Sequence, residues 1–366
     1  MHRNFEYYIG PNHPGIAGNF SIKVEANGDT VLNVEPEFGY LHRAFEKLME
    51  DNLYIQNIAM VPRICVPDPD INEYCYCSAI ERIAKKEVPE RARFIRTLVL
   101  ELSRIAAYLS YFGGIGGTIG LYTAPQWSVG DRDYILDLFE DLTGGRVYHI
   151  YMVPGGVRRD LPEGFEEKVL KVMDYIEERF KEYDDLIFGN KVFEKRTKGV
   201  GILTKEKAIE LGATGPVLRA SGYSYDVRKD NPYAAYNKVD FNVITAEDGD
   251  TYSRIMVRRR EIEESIKIVR QVIDKMPEGE YKNQWYNPFK FDIPEGRVYV
   301  KIESSKGEYG YYFVSNGSDK PYRVNVRGAS FPHIVTVFKE LTKGARIEDI
   351  ALILFSIDAC PPEVDR

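Results

Sequence analysis

Over residues 18–36 apolar and polar positions alternate on both sides of Asn27-Gly28. A period of two around that dipeptide predicts a β-hairpin. A short helix is expected around 41–50. Beyond Pro89, a suitable first-turn residue, the period lengthens. Ile95, Leu98, Leu102, Ile105 and Leu109 recur at spacings of 3 and 4, the stripe of a helix that faces a core or another helix. Gly113-Gly114 is read as its stop, and Gly113–Gly120 as a glycine-rich loop. Further helices are expected over 131–143, stopped by Gly144-Gly145, over 162–184 and over 251–276, where Ile262, Ile266, Val269, Ile273 and Met276 share a face. Alternation returns over 297–303 and 308–315, with 322–327 as a third strand. Two helices, 333–342 and 347–355, follow.

These elements predict an α+β fold. A core bundle of long helices stands between a small N-terminal antiparallel β region and a mixed α/β C-terminal part. The expected divisions are 1–40 for the β region, 41–290 for the helical core and 291–366 for the C-terminal part, which closes the active-site cavity. The stripe after Pro89 belongs inside the bundle, flanked by polar residues, and the hairpin outside it.

Composition changes this picture little. The chain has 366 residues, 44% hydrophobic and 29% charged, which excludes wholesale disorder. A net charge of −7 gives no support for a nucleic-acid partner. No run of roughly 20 apolar residues is available for a membrane span, and the N-terminus has no apolar run of signal-peptide type. A cytoplasmic chain without a span of its own is therefore expected, with docking onto something in the membrane left open. Four cysteines are too few for a disulfide scaffold of this length.

Cys75-Tyr-Cys77 suggests a metal pair, but two residues apart on a helix the side chains diverge by about 200°, so a core role is favoured. The glycine-rich segment follows a helix and has no lysine after it, which argues against a phosphate loop. Two other segments are richer. Arg63-Ile-Cys65-Val-Pro-Asp68 and Asp358-Ala-Cys360-Pro-Pro-Glu363 each place an acid three residues after a cysteine. If the fold brings them together, they supply two thiols and two carboxylates to one site.

Motifs in a fixed order extend nearly end to end. They are Gly10-Pro-Asn-His-Pro14, Gly39-Tyr-Leu-His-Arg-Ala-Phe-Glu-Lys47, Val88-Pro-Glu-Arg-Ala92, Pro154-Gly-Gly-Val-Arg158, Leu218-Arg-Ala-Ser-Gly222, Gly249-Asp-Thr-Tyr252, Glu308-Tyr-Gly310 and Glu363-Val-Asp-Arg366. With them the chain resembles the large subunit of nickel–iron hydrogenases and its respiratory relative, the 49-kDa-type subunit of complex I. The resemblance implies a small iron–sulfur partner holding a proximal 4Fe–4S cluster, other peripheral-arm subunits and an ion-translocating membrane arm. It implies no cofactor bound wholly by this chain.

The departures from that family direct the functional expectation. Its hydrogenases hold nickel and iron with two Cys-x-x-Cys pairs. Here each pair keeps its first cysteine, Cys65 or Cys360, and loses its second to Asp68 or Glu363. Without bridging thiolates no nickel–iron centre, and no metal on this chain, is expected. The His, Tyr and Asp of the complex I quinone site align with Ala17, Val66 and Thr118, although His13 survives. This mixture is similar to the sulfane-sulfur-reducing branch of archaeal membrane-bound complexes. That branch implies electrons from ferredoxin, cleavage of a polysulfide S–S bond and coupled ion transport. Sulfane sulfur is attacked by thiolates, so Cys65 and Cys360 are the expected catalytic residues. Asp68, Glu363, His13 and Arg63 are expected to line the cavity or handle protons, with Arg63 lowering a thiol pKa. The alternatives are a quinone- or phenazine-type reductase subunit, or a non-catalytic scaffold beside the partner's cluster.

Overall fold

The computed structural model describes residues 4–16, 18–283 and 293–366. Ala17 and the expected end of the helical core at 290 lie outside the described residues. Strands β1 (Asn4–Ile9), β2 (Ser21–Asn27) and β3 (Thr30–Glu37) form an antiparallel sheet in that order. The predicted hairpin is its β2–β3 pair, with Asn27 opposite Thr30.

Five long helices follow: α1 (Asp70–Ala84), α2 (Glu90–Thr118), α3 (Thr123–Thr143), α4 (Phe165–Tyr183) and α5 (Thr251–Asp274). A second three-stranded sheet, β4 (Gly296–Glu303), β5 (Glu308–Ser315) and β6 (Arg323–Arg327), is an antiparallel meander packed on α1. Helices α6 (Ile350–Ser356) and α7 (Pro361–Asp365) end the chain.

Helix α2 is the axis of the fold and packs chiefly on α3 and α5. Its predicted stripe is buried. So are the flanking polar residues Arg96, Thr97, Glu101, Ser103 and Arg104. By length and composition α2 could cross a membrane, but its most apolar window is 89% buried within the protein.

The predicted stop at Gly113-Gly114 is wrong, because α2 runs on to Thr118 and takes in most of the expected glycine-rich loop. Packing explains the glycines. A Cβ on Gly113 would stand 2.6 Å from Ser128 Oγ, one on Gly116 2.4 Å from the Ala124 Cβ, and one on Gly114 2.8 Å from the Phe355 ring. Close approach of α3 and α6 outweighs a helix-propensity cost of about 1 kcal/mol per glycine. Cys75 and Cys77 are buried on α1, and the Cys77 thiol donates to Met152 O at 3.5 Å.

One large hydrophobic cluster joins the long helices to the β4–β6 sheet. A second joins Phe20, Ile22, Val24, Val31 and Val34 to residues of 203–218 and 334–364. The chain ends are thereby held together: Gly39 N and Leu41 N donate to the Asp365 carboxylate at 2.9 and 2.8 Å. The β4–β5 turn is driven into the core, with Glu303, Ser304, Ser305 and Lys306 all buried.

The glycine contacts give a paired prediction. Gly116→Ala should destabilise the protein by about 1–3 kcal/mol through overpacking against Ala124. Gly117→Ala, whose nearest neighbour would be 4.0 Å away, should instead stabilise it by about 0.4–1 kcal/mol. Denaturation midpoints of the two variants moving in the same direction would refute this account of the glycines.

Candidate active site

Four segments converge beside α2. Cys65 stands between a 3₁₀ turn (Val61–Arg63) and α1, Cys360 caps α7, Lys306 sits on the β4–β5 turn, and Ser330 begins the helix after β6. The Cys65 and Cys360 sulfurs and a Glu363 carboxylate oxygen lie within 4.8 Å of one another, and all three residues are buried. Pro361-Pro362 start α7, where proline fits the first turn. That single turn sets Glu363 beside Cys360, with Glu363 N donating to Cys360 O at 3.0 Å. Ser330 anchors both residues: its N–H donates to Glu363 Oε1 at 2.7 Å and its Oγ accepts from Cys360 N at 3.0 Å. Glu363 Oε2 is buried without a hydrogen-bond partner among the described residues.

Asp68 is buried and bound to the hairpin turn. It accepts from Ser305 N at 2.9 Å and from Ser103 Oγ at 3.2 Å. Asp358 takes φ 51, a strained conformation for a residue with a Cβ. Its carboxylate lies 3.2 Å from Lys306 Nζ and 3.8 Å from Arg258 Nε.

Two expected members lie elsewhere. His13 is exposed, and its Nδ1 accepts from Gly15 N at 3.0 Å. The Arg63 guanidinium donates to Ala59 O and lies 4.8 Å from the centre of the Tyr148 ring. The cation whose field reaches both thiols is Lys306, not Arg63.

The Cys65 thiol is pushed well up by its hydrogen bond with Cys360, then by burial and by the Cys360 and Glu363 charges, with Lys306 opposing. Burial raises Glu363 and Asp68, against backbone bonds from Ser330 and Ser305 and the charge of Lys306. Burial alone would lower Lys306, but Asp358, the two cysteines and Asp68 outweigh it and hold the ammonium charged. The Cys65 thiol is thus held protonated at rest.

Two thiols and one carboxylate do not fit a thiolate-bridged binuclear metal centre, which needs more sulfur donors. A cavity of about 270 Å³ opens beside Cys360. Val66, Pro67, Tyr111 and Phe355 contribute to its walls, and Lys306 and Asp358 are its ionic groups. Of the expected lining, Cys65, Asp68 and Glu363 are not in that wall, each being packed behind it; Thr118 is outside it too, its hydroxyl donating to Ile115 O at 2.7 Å.

With this geometry established, comparison with known proteins is decisive for the family. The family model of the respiratory-chain NADH dehydrogenase 49-kDa subunit matches residues 118–292 and 286–366. The chain belongs to this 49-kDa subunit family. An NADH-quinone oxidoreductase subunit of Thermosipho melanesiensis is 53% identical to it over 98% of both chains. An F(420)H(2) dehydrogenase subunit of Methanosarcina mazei is 39% identical, over 98% of this chain and 97% of its own. A solved chain of the membrane-bound sulfane sulfur reductase, an archaeal respiratory membrane complex, is 44% identical with a TM-score of 0.96, covering 99% of this chain and 98% of that one. As a 49-kDa-type protein, the chain is an oxidoreductase subunit of a multi-subunit, complex I-like respiratory membrane complex.

Sequence reasoning missed Lys306, Asp358 and Ser330. A lysine in a Ser-Ser-Lys-Gly turn between two strands ordinarily points to water, so no signal marked Lys306. Asp358 had a faint one, since it stands two residues before a singled-out cysteine.

The raised Cys65 pKa sets a pH profile. Alkylation of Cys65 by iodoacetamide, followed by peptide mass, should still be rising at pH 9, because the thiolate is the reactive form. Lys306→Met should move the profile further up, costing about tenfold in rate at a fixed pH for each unit. A plateau below pH 8 would contradict the assigned electrostatics.

Proposed function

We propose that this chain is the large subunit of a ferredoxin-dependent, membrane-attached complex that reduces sulfane sulfur and couples the reaction to ion transport. The observation that carries the proposal is the buried pair Cys65 and Cys360 with Glu363 alongside. The 44% identity to a sulfane sulfur reductase chain supports it. The chain would lie peripherally on the cytoplasmic face of the membrane. A small iron–sulfur partner would place its proximal 4Fe–4S cluster near the cavity, among other peripheral-arm subunits and a membrane arm that moves ions.

One thiol attacks a sulfane sulfur, forming a mixed disulfide and releasing the other half of the substrate as a thiolate. Glu363, with its free oxygen beside both thiols, takes the proton that the attacking thiol must lose. The second thiol then attacks the mixed disulfide, expels the remaining half and leaves a Cys65–Cys360 disulfide. Two electrons, which a partner's cluster would supply, and two protons restore both thiols. The sum is one S–S bond plus two electrons and two protons, giving two S–H groups. Lys306 supplies the positive charge that stabilises each sulfur anion as it forms.

A relative named as an NADH-quinone oxidoreductase subunit favours a second reading, a quinone- or phenazine-type reductase subunit, through its quinone acceptor. Against it stands Val66, an apolar residue in the cavity wall at the position aligned with the quinone-site tyrosine. A buried carbonyl without its donor loses about 1–3 kcal/mol. A third possibility, a scaffold whose thiols are inert, leaves the chemistry to the partner's cluster.

In the intact complex, Cys65→Ala and Cys360→Ala should each lower polysulfide reduction at least about tenfold, a change of roughly 1.4 kcal/mol in the barrier, with assembly preserved. Soluble quinones should be poor acceptors. Full activity in both variants would establish the scaffold, and rapid quinone reduction the second reading.

A further inference from the structure

A larger cavity, of about 520 Å³, lies at the other end of α2, among the end of α1, the α1–α2 turn and the segment around Tyr233. Arg93 in its wall and Tyr111 in the wall of the Cys360 cavity both belong to α2. They are about 27 Å apart along the axis at 1.5 Å per residue, so the two spaces are separate. A further opening shares Glu87, Val88, Arg93 and Asn237 with this cavity and runs on to Lys238 and Asn283. Together they form a trough rather than a pit. Its floor is built from buried polar groups: Tyr74, Ser78, Glu81, Arg96 and Tyr233. Arg96 donates twice to the Glu81 carboxylate, at 3.0 and 2.6 Å, and Glu81 also accepts from Gly155 N at 2.7 Å. The Tyr74 hydroxyl accepts from Ala234 N at 3.0 Å. These bonds hold the concavity in shape before anything enters it.

The rim is charged, and unevenly. Arg96 is paired with Glu81, and Lys238 lies 3.8 Å from Glu90. Arg82, Lys85, Lys86 and Arg93 are exposed, and none of them has an ion-pair partner among the described residues; Glu87 is the remaining acid of the trough. The whole chain carries a net charge of −7, so this positive trough runs against its general surface. Helix ends account for part of it. Arg82 and Lys85 stand at the C-terminal end of α1, whose partial negative charge favours cations. Arg93 stands in the first turn of α2, where the same effect opposes a cation. Lys85 takes φ 52, in a capping position that ordinarily takes glycine, so the lysine stands there against backbone strain. Four cations round one rigid concavity repel one another and focus their field on anything acidic that approaches.

We propose that this trough docks an acidic segment of another subunit of the same complex, an extended stretch of chain whose Asp and Glu side chains meet Arg82, Lys85, Lys86 and Arg93. The length of the trough favours a chain over a compact anion, and the two arginine forks match carboxylates in shape as well as charge. Membership of a multi-subunit respiratory complex supplies the partner surface. The inference is independent of which substrate the complex reduces.

The test uses the purified intact complex and a carbodiimide, which joins a lysine amine to a carboxylate in contact with it and adds no spacer. Peptide masses should show Lys85 or Lys86 joined to Asp or Glu within one stretch of another subunit. Lys85→Glu combined with Lys86→Glu should weaken retention of that subunit on dilution at least about tenfold, because like charges then meet. Both side chains are exposed, so the exchange spares the fold. Replacing the cross-linked acids by lysine in the partner should restore most of the loss, which a general loss of stability would not allow. Absence of any cross-link from either lysine to another subunit overturns the proposal, whether the trough is empty or holds a free anion such as phosphate. Cross-links confined to acids of this chain overturn it too, as does full retention of the subunit by the doubly reversed variant.

Discussion

Residues 303–306 carry a turn's full set of polar groups into a helical core that solvent does not reach, and each of those groups has to be matched there. Arg104, from the middle of α2, donates to Glu303 O at 2.6 Å and to Ser304 O at 2.8 Å. Asp68 accepts the Ser305 N–H. These partners are themselves charged and need partners in turn. Arg104 lies 3.4 Å from Glu101, which pairs with Arg228, which pairs with Asp226. Arg219 then bridges Glu303 and Glu261, each at 2.7 Å. Arg104, Arg219 and Arg228 thus face Glu101, Asp226, Glu261 and Glu303, one carboxyl too many. Burial pushes Glu303 up to about 7, which brings the group close to neutrality. Removing one member of such a set leaves a buried charge unpaired, at a cost of about 3–5 kcal/mol. The turn is therefore held firmly, and Lys306 at its tip is aimed by the whole network rather than by its own flexible stem.

The same constraint separates what the sequence reveals from what it hides. Alternation around Asn27-Gly28 and over 297–303 marks strands because one face of each sheet is dry, and that pattern is local. The stripe from Ile95 to Leu109 marks α2 for the same reason. Arg96, Glu101 and Arg104 look like a solvent face in that pattern, because periodicity registers side-chain polarity and not where the partner charges come from. Their partners stand at 81, 228 and 303, far off in sequence. The end of α2 was hidden too: glycine marks a stop only where nothing packs against it, and here α3 and α6 do.

The site shows this division at the scale of single residues. Each Cys-x-x-acid segment was visible by itself. Their convergence followed only from resemblance to a family, since no local pattern links residue 65 to residue 360. Within the convergence the two acids take different parts. Glu363 turns toward the thiols and leaves one oxygen free, whereas Asp68 spends both oxygens on Ser305 and Ser103. Identical spacing from a cysteine therefore did not mean identical work. What separates them is the backbone between: an α-helical turn after Cys360 and the entry to α1 after Cys65.

A protonated thiol beside one firmly held cation suits chemistry in which sulfur anions appear and are then protonated. Lys306 cannot neutralise Cys65 in the resting state, because burial and the Cys360 hydrogen bond outweigh it. The balance alters when charge develops on sulfur, since the attraction of a fixed ammonium grows with that charge while burial of the lysine is already complete. The proton that Glu363 takes from the attacking thiol can then follow the charge without a path to bulk water. A quinone also needs two electrons and two protons, but it needs them delivered to carbonyl oxygens across a ring, by donors on opposite sides. Here Cys360 and Lys306 line one cavity, and Cys65 and Glu363 are packed directly behind that thiol, an arrangement matched to a bond between two adjacent sulfur atoms.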